Sequence, residues 1–339
     1  MNVLTDDELR YLAVTLFSAP TARTQQTRIG ASDLANQCDR CLAMAMANIP
    51  RVKNPTAENI WMQAEIGTGM HLVQEGRLKE LLRVADADED PSFSDRVREI
   101  AREIAAMAPG AEAEVRIKIG HIPGYGDVFG TIDLRLLWQI VDWKSSDRIK
   151  SALLQDFLLS VGLSPEGAKP KWQKQKDTAR YAGGYKLEYG SSSRAKRTAT
   201  LSFKQYHAAM EGMVHKMNGY HVQQSLYMHG CHLAGHKVVK GTIMWINRDG
   251  NGLNDVPSGA RYEDPNAFHD FWPLSFDYHE DTALAALDRG ARIWRRLERG
   301  DLPQDFEADE HCFICSFEKE DITETAPDVE AHLNMKEAA

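Results

Sequence analysis

Two C-x-x-C pairs near opposite ends of the chain constrain its fold more than any other feature. Cys38 and Cys41 form the first pair, and Cys312 and Cys315 form the second, in a chain of 339 residues. Four thiolates in a tetrahedral arrangement suit either zinc or an iron–sulfur cluster. The long separation rules out a compact zinc ribbon, in which the ligand pairs lie close in sequence. The pairs therefore predict a metal-bound clasp that joins the N-terminal and C-terminal parts of one domain.

Composition and charge exclude several classes of protein. The contents of 43% hydrophobic and 26% charged residues are ordinary for a globular domain. No run approaches the ~18 apolar residues of a membrane helix, and acidic residues stand where a signal peptide would be basic. We therefore expect a cytoplasmic protein that does not enter membranes, with Cys231 as a buried apolar residue. The formal charge of −9 excludes a protein that coats nucleic acid by bulk attraction.

The spacing of apolar residues predicts an α/β domain with a central mixed sheet flanked by helices. Helices are expected at residues 6–17, 32–46, 57–84, 96–107, 205–231 and 281–299, and strands at 114–119, 128–137, 140–144 and 238–247. Residues 145–205 break this pattern with Ser-rich pieces and a basic run. The predicted division is a helical extension over 1–30, a main domain over 31–318 with an insertion at about 147–205, and a charged tail over 319–339.

An acidic hairpin carries the strongest chemical signal in the sequence. If a two-residue turn lies at Leu137-Trp138, antiparallel pairing places Asp133 directly opposite Asp142. Lys144 follows two residues later and points to the same face. Facing carboxylates repel unless a cation lies between them, so the hairpin predicts an Mg²⁺ or Mn²⁺ site with an ammonium group beside it. These groups suit phosphodiester hydrolysis, although solvated acids on two surface strands would give the same pattern.

Six motifs, taken in order, resemble the RecB-like and CRISPR-associated iron–sulfur exonuclease branch of the PD-(D/E)XK nuclease superfamily. The resemblance spans about residues 30 to 318, apart from roughly 147–205. Its motifs are Ser32-x-Leu34 with Cys38-x-Arg40, Gly67-x-x-x-His71, Gly130-x-Ile-Asp133, Asp142-x-Lys144, Gln223-x-x-x-Tyr227, and the late C-x-x-C that follows Pro303.

The resemblance implies a PD-(D/E)XK restriction-endonuclease-like core and a metal-dependent DNA exonuclease. His71 would join Asp133, Asp142 and the main-chain carbonyl of Trp143 in binding the catalytic cation, with Lys144 as the catalytic ammonium. Gln223 and Tyr227 would flank the site and touch DNA. Two further acids, Glu75 and Glu114, are expected either to support these ligands, to help bind a second cation, or to be ordinary surface acids.

The cysteines depart from the usual arrangement of the resembling family, which has one early cysteine and three late ones. Cys38 matches the early ligand, but no third late cysteine follows Cys315, so Cys41 would have to replace it. The resemblance implies a [4Fe–4S] cluster bound by these four residues, and Zn²⁺ remains the alternative.

A basic segment indicates where DNA would be held. Residues 169–197 carry nine basic side chains against two acidic ones, with aromatic residues between them. Such segments bind single-stranded nucleic acid through phosphate contacts and base stacking. A solvated insertion would have the same composition. The candidate DNA-binding residues here are Lys169, Lys171, Trp172, Lys174, Lys176 and Arg180.

The sequence therefore predicts an enzyme acting on DNA that is single-stranded or has free ends, in replication, recombination or repair and with proteins of those processes as possible partners. A DNA-binding or scaffold protein that keeps the cysteine clasp without cutting is one alternative. A site-specific endonuclease is another. The sequence does not fix the oligomeric state or the polarity of cleavage.

Overall fold

The computed structural model describes residues 28–49, 69, 73, 75–86, 94–163, 169–176, 183–189, 197–247, 271–310, 312 and 315. The predicted helix at 6–17, nearly all of the extension over 1–30 and the tail over 319–339 lie outside these residues. The helices are α1 (Ala31–Ala35), α2 (Asp39–Met46), α3 (Asp95–Met107), α4 (Arg148–Ser160), α5 (Phe203–Leu233) and α6 (Glu280–Glu298), and residues 75–86 are also helical. The strands are β1 (Glu112–Ile122), β2 (Gly126–Arg135), β3 (Gln139–Ser146), β4 (Gln173–Gln175), β5 (Gly184–Tyr189), β6 (Arg197–Ser202), β7 (Lys240–Asn247) and β8 (Phe271–Asp277).

A five-stranded mixed sheet forms the centre of the fold, in the order β1-β2-β3-β7-β8. β1, β2 and β3 form an antiparallel meander, β7 lies parallel to β3, and β8 is antiparallel to β7. Helices α5 and α6 pack on β1, and α4 and α5 pack on β7. The predicted α/β class, with a mixed sheet flanked by helices, is confirmed.

The long helix α5 connects the two larger hydrophobic clusters of the described core. Its first half contributes Tyr206 and Met213 to a cluster that includes Trp245 of β7. Its second half contributes Leu226 and Met228 to the larger cluster around β1 and α6. Because one continuous helix lies in both clusters, side chains along it are held at fixed positions against the sheet.

The segment interpreted as an irregular insertion is more regular than predicted. It begins with α4, whose N-cap Asp147 accepts a hydrogen bond from the Lys150 N–H at 2.8 Å. Leu154 of this helix is fully buried beside Trp245, so α4 belongs to the core. The rest of the segment contributes a separate antiparallel sheet, β4-β5-β6. The Ser-rich flanks hid the helical spacing of the apolar residues in α4.

Two other elements differ from the prediction. The expected helix over 32–46 is broken between α1 and α2, and the break makes Cys38 the N-cap of α2. β8 extends through part of the predicted loop and contains Pro273. A proline is compatible with β8 because this strand lies at the edge of the sheet, where its missing N–H breaks no ladder. Of the helices that the structure describes, none has the length and apolarity of a membrane span.

Candidate active site

The hairpin of β2 and β3 has the predicted register. Leu134 pairs with Val141 and Arg135 with Ile140, and the Leu136 N–H donates to the Gln139 carbonyl at 2.8 Å. The turn is therefore Leu137-Trp138. This register places Asp133 and Asp142 at facing positions on neighbouring strands. The two residues are 7% and 3% exposed, so both acids are buried.

The backbone ladder changes at these acids. If the pairing continued in the same register, the Trp143 N–H would donate to the Ile132 carbonyl. It donates instead to Oδ2 of Asp133 at 2.8 Å, which fixes the orientation of that carboxylate. Because the N–H and C=O of one strand residue point to the same neighbouring strand, the Trp143 carbonyl also faces β2.

Lys144 forms an ion pair with Asp142, with its Nζ 2.6 Å from Oδ2. The two residues are two positions apart on β3 and so lie on one face of the sheet. The lysine side chain is 27% exposed, whereas that of Asp142 is 4% exposed. The ammonium group is therefore held at the site by a buried carboxylate and still reaches solvent.

Glu114 adds a third acid to the row. Ala113 pairs with Leu134 and Val115 with Ile132, so Glu114 lies across from Asp133. Glu114, Asp133 and Asp142 thus occupy adjacent positions on three neighbouring strands. Glu114 has a φ of 52°, in the left-handed region that non-glycine residues rarely adopt. Such backbone strain costs about 1–3 kcal/mol and concentrates at functional sites.

Tyr227 of α5 lies against this row of acids. Its hydroxyl accepts a hydrogen bond from Gln223 Nε2 at 3.1 Å, and both side chains are buried. Burial raises the pKa of Tyr227 far above its usual value, and Asp142 and Asp133 raise it further. The hydroxyl therefore stays protonated at every physiological pH and remains able to donate a hydrogen bond.

The glycine of the Gly130-x-Ile-Asp133 motif leaves room for this tyrosine. A Cβ atom at Gly130 would lie 2.5 Å from Cε1 of Tyr227, which is far inside van der Waals contact. The absence of a side chain at this position of β2 therefore allows the ring to pack over the strand that carries Asp133.

A second lysine near the site was missed by the sequence analysis. Lys216 and Lys144 approach the same Tyr220 ring, with their Nζ atoms 5.7 and 5.8 Å from its centroid. Partial desolvation by the groups packed around it lowers the pKa of Lys216 to about 8, with help from the charges of Lys150 and Lys144. Lys216 and Tyr220 precede Gln223 and Tyr227 by one to two helical turns, so extending that helix face toward the N-terminus would have found them.

Several predicted site residues lie elsewhere or outside the described part of the chain. His71 and Arg180 fall outside the described residues. Glu75 begins the helical residues 75–86 and forms an ion pair with Lys79 one turn further on. This pairing is typical of a helix surface.

The basic segment is partly as predicted. Its lysines, Lys169, Lys171, Lys174 and Lys176, are exposed. Trp172 is only 1% exposed and packs edge-on against Tyr206, so its expected role of stacking on bases is wrong. Buried Asp156 accepts hydrogen bonds from the N–H groups of Lys171 and Trp172 and from the Tyr206 hydroxyl, which ties this segment to α4 and α5.

The four cysteines form one buried cluster, as predicted. Cys41 Sγ lies 3.3 Å from Cys312 Sγ and 3.4 Å from Cys315 Sγ, and Cys38 Sγ lies 3.5 Å from Cys315 Sγ. The hydrogen bond between Cys38 and Cys41 lowers the pKa of the Cys38 thiol to about 4 and raises the pKa of the Cys41 thiol, so Cys38 is the one that favours the thiolate. The cluster joins the N-terminal and C-terminal parts of the domain. Cys231 is buried in the main core, as expected.

No family model matches the sequence, and no curated protein matches it. Among solved structures, the chain is similar to a protein from Eubacterium rectale that is provisionally described as an exonuclease, with 12% identity over 98% of each chain and a TM-score of 0.38. It is also similar to a phage-related exonuclease from Haemophilus somnus 129PT, with 10% identity, a TM-score of 0.30, and coverage of 80% of this chain and 95% of the other. At these levels the similarity is coarse, so the chemistry has to be argued from the residues of this chain.

Those residues provide a consistent set of groups for one kind of reaction. Buried carboxylates at facing positions are costly unless a cation neutralises them, and oxygen donors of this kind suit Mg²⁺ or Mn²⁺. The Lys144 ammonium group lies against Asp142, and the protonated Tyr227 lies beside the acids. Groups of this kind suit a hard divalent cation and a phosphate on which negative charge develops.

Proposed function

We propose that this protein is an Mg²⁺- or Mn²⁺-dependent deoxyribonuclease that hydrolyses phosphodiester bonds from DNA ends. The observation that carries the proposal is the row of Glu114, Asp133 and Asp142 across three strands, with Lys144 paired to the last of them. A protein that only binds DNA needs basic groups for phosphates and has no use for two buried acids at facing strand positions.

The cation would be held by Asp133, Asp142 and the main-chain carbonyl of Trp143, with His71 added by the resemblance of the Gly67-x-x-x-His71 motif. When bound, such an ion polarises a phosphoryl oxygen and lowers the pKa of a coordinated water. Glu114, at the neighbouring position on β1, is proposed to support Asp133. The Trp143 N–H keeps Asp133 in one orientation, so little reorganisation is needed when the cation binds.

Lys144 is proposed to act on the reacting phosphate. Its ammonium group stabilises the charge that builds up as water attacks phosphorus and the bond to the leaving oxygen breaks. Asp142 keeps this group at the site through the 2.6 Å ion pair. The proton of the attacking water passes to solvent or to a nearby carboxylate, and the leaving oxygen is protonated in turn.

The DNA backbone is proposed to approach along α5. Gln223 and Tyr227 are buried beside the acids and bonded to each other, so they would position the site rather than bind the DNA backbone. Lys216, which shares the Tyr220 ring with Lys144, would add a positive charge to the path. The exposed lysines of the segment 169–176 would extend the positive path for a single strand or a frayed end. A role in replication, recombination or repair, with partner proteins from those processes, follows from such a substrate.

The test compares end-labelled linear DNA with covalently closed circular DNA of the same sequence, in Mg²⁺, in Mn²⁺ and in EDTA. We expect labelled linear DNA to be degraded progressively in either metal, with circular DNA untouched and EDTA preventing cleavage. Nicking or linearisation of the circle would show an endonuclease instead. Binding without cleavage in either metal would favour a DNA-binding or scaffold protein.

The cysteine cluster is proposed to be structural, because it holds α2 against the C-terminal end of the domain rather than facing the acids. Arg40, between the two early cysteines, strengthens the same junction, since its Nε donates to the Phe306 carbonyl at 3.3 Å. The resemblance implies [4Fe–4S] at this position, and zinc is the alternative. Either metal would stabilise the fold without taking part in hydrolysis.

A further inference from the structure

The spacing of the four cysteine sulfurs carries information about the metal they bind. Each Sγ lies within 4.8 Å of every other, and three of the pairs are 3.3 to 3.5 Å apart. In a tetrahedral site with Zn–S bonds of about 2.3 Å, neighbouring sulfurs are about 3.8 Å apart. The observed spacing is close to this value, with three pairs somewhat shorter, as for four ligands gathered around one point.

The same spacing does not fit the cluster that the resemblance implies. In a [4Fe–4S] cluster each cysteine binds a different iron atom, and its Fe–S bond points outward from a corner of the cube. The ligand sulfurs are therefore roughly 6 Å apart. The upper limit of 4.8 Å among these cysteines is too short, and all four are buried at 0% to 7% exposure in a closely packed junction.

The backbone around the first pair also suits a compact thiolate site. Cys38 caps α2, so its sulfur lies at the positive end of the helix dipole. The Cys41 N–H donates to Cys38 Sγ at 3.5 Å. On the other side of the cluster, the Cys312 N–H donates to the Asp309 carbonyl at 3.0 Å and fixes the chain before the second pair. The two C-x-x-C segments thus present their sulfurs toward one common point.

We propose that Cys38, Cys41, Cys312 and Cys315 bind a single tetrahedral Zn²⁺ ion as a structural clasp, in place of an iron–sulfur cluster. This inference is independent of the proposed nuclease activity, because it concerns a different set of residues and a different metal. Zinc has no redox chemistry and four-coordinate thiolate sites are closed, so the ion contributes folding free energy alone. A zinc site also explains why no third late cysteine follows Cys315, because two C-x-x-C pairs already supply its four ligands.

The test measures metal and inorganic sulfide in the full chain. The protein is produced with iron and zinc both supplied and is purified without oxygen, and each element is quantified per chain. We expect about one zinc ion per chain, no acid-labile sulfide and a colourless sample. Iron together with acid-labile sulfide, and a broad absorption near ~400 nm, would overturn the proposal.

Cobalt substitution of the wild-type chain gives a readout that needs no mutant. One Co²⁺ per chain should give the intense visible bands of a tetrahedral tetrathiolate site, and zinc should displace it. The weak spectrum of an octahedral site, or failure to bind cobalt, would contradict the assignment. Cys312→Ser should lose these bands, whereas the matched control Cys231→Ala, a buried thiol outside the cluster, should keep them.

Discussion

Replacing Gly130 with alanine tests whether Tyr227 is packed against the strand that carries Asp133. The added Cβ would lie 2.5 Å from Cε1 and 3.1 Å from Cδ1 of the tyrosine. Ordinary carbon contacts are about 3.5–4.0 Å, so the ring would have to move by about 1 Å. The ring cannot do so freely, because it is buried and its hydroxyl is bonded to Gln223.

We expect Gly130→Ala to lower the free energy of unfolding by about 1–3 kcal/mol, as for other overpacked sites. Displacing a group beside the acids by about 1 Å should also reduce cleavage by about 10²-fold. Urea unfolding followed by circular dichroism gives the first quantity. Single-turnover degradation of end-labelled DNA, under conditions where the variant is fully folded, gives the second.

Gly212→Ala is the matched control on α5, because a Cβ at Gly212 meets nothing within 4 Å. Removing a helix-interior glycine there should stabilise the protein by about 0.5–1 kcal/mol without changing cleavage. The two glycine variants should therefore change stability in opposite directions. If Gly130→Ala were as stable and as active as the wild type, the packing of Tyr227 over β2 would be refuted.

Three further predictions concern the basic groups and the buried tryptophan. Replacing Lys169, Lys171, Lys174 and Lys176 with alanine should weaken DNA binding, as measured by fluorescence anisotropy. The slope of log affinity against log salt concentration should fall by up to about one unit per lost phosphate contact. An unchanged slope would place the DNA path elsewhere. Trp172→Ala should destabilise the fold by about 3–5 kcal/mol in urea unfolding, because its side chain is buried, and a variant of wild-type stability would contradict that packing. Because Lys216 has a pKa of about 8, its charge is present below that pH and is lost above it, so DNA affinity should fall as pH rises through about 8. Lys216→Arg should remove this pH dependence. If the dependence persisted in the arginine variant, the titration would belong to another group.

Lys216 also makes stability depend on pH in a definite direction. Its pKa is lowered on folding from 10.5 to about 8, so between these values the unfolded chain binds a proton that the folded chain does not. The free energy of unfolding contributed by this residue therefore rises with pH across that window. Lys216→Met should flatten this part of the stability profile.

The register of the acidic hairpin could be predicted from sequence because a two-residue turn leaves little freedom. Once Leu137-Trp138 is the turn, the pairing of Asp133 with Asp142 follows from strand geometry alone. The clasp was predictable for a similar reason, since two C-x-x-C pairs have few other uses in such a chain.

Other features depend on tertiary packing that no local pattern reports. Glu114 lies beside Asp133 because β1 pairs with β2 in one register, and its left-handed backbone has no signature in the sequence. Trp172 looked like a stacking platform because of its basic neighbours, but Asp156 binds the backbone at this position and the ring packs inward. Lys216 was overlooked because a lysine on a long helix usually extends into solvent, whereas here its Nζ lies 4.7 Å from the centroid of the Trp245 ring.

Asp142 and Lys144 are proposed to form part of a cation-dependent cleavage site, and the rate of single-turnover DNA cleavage reports on their role. Asp142→Ala and Lys144→Ala are compared with Asp277→Ala, which changes an exposed acid on β8, and circular dichroism checks that each variant is folded. We expect both site variants to lose cleavage in Mg²⁺ and Mn²⁺ and the control to keep it. Full activity in folded Asp142→Ala and Lys144→Ala proteins would contradict it.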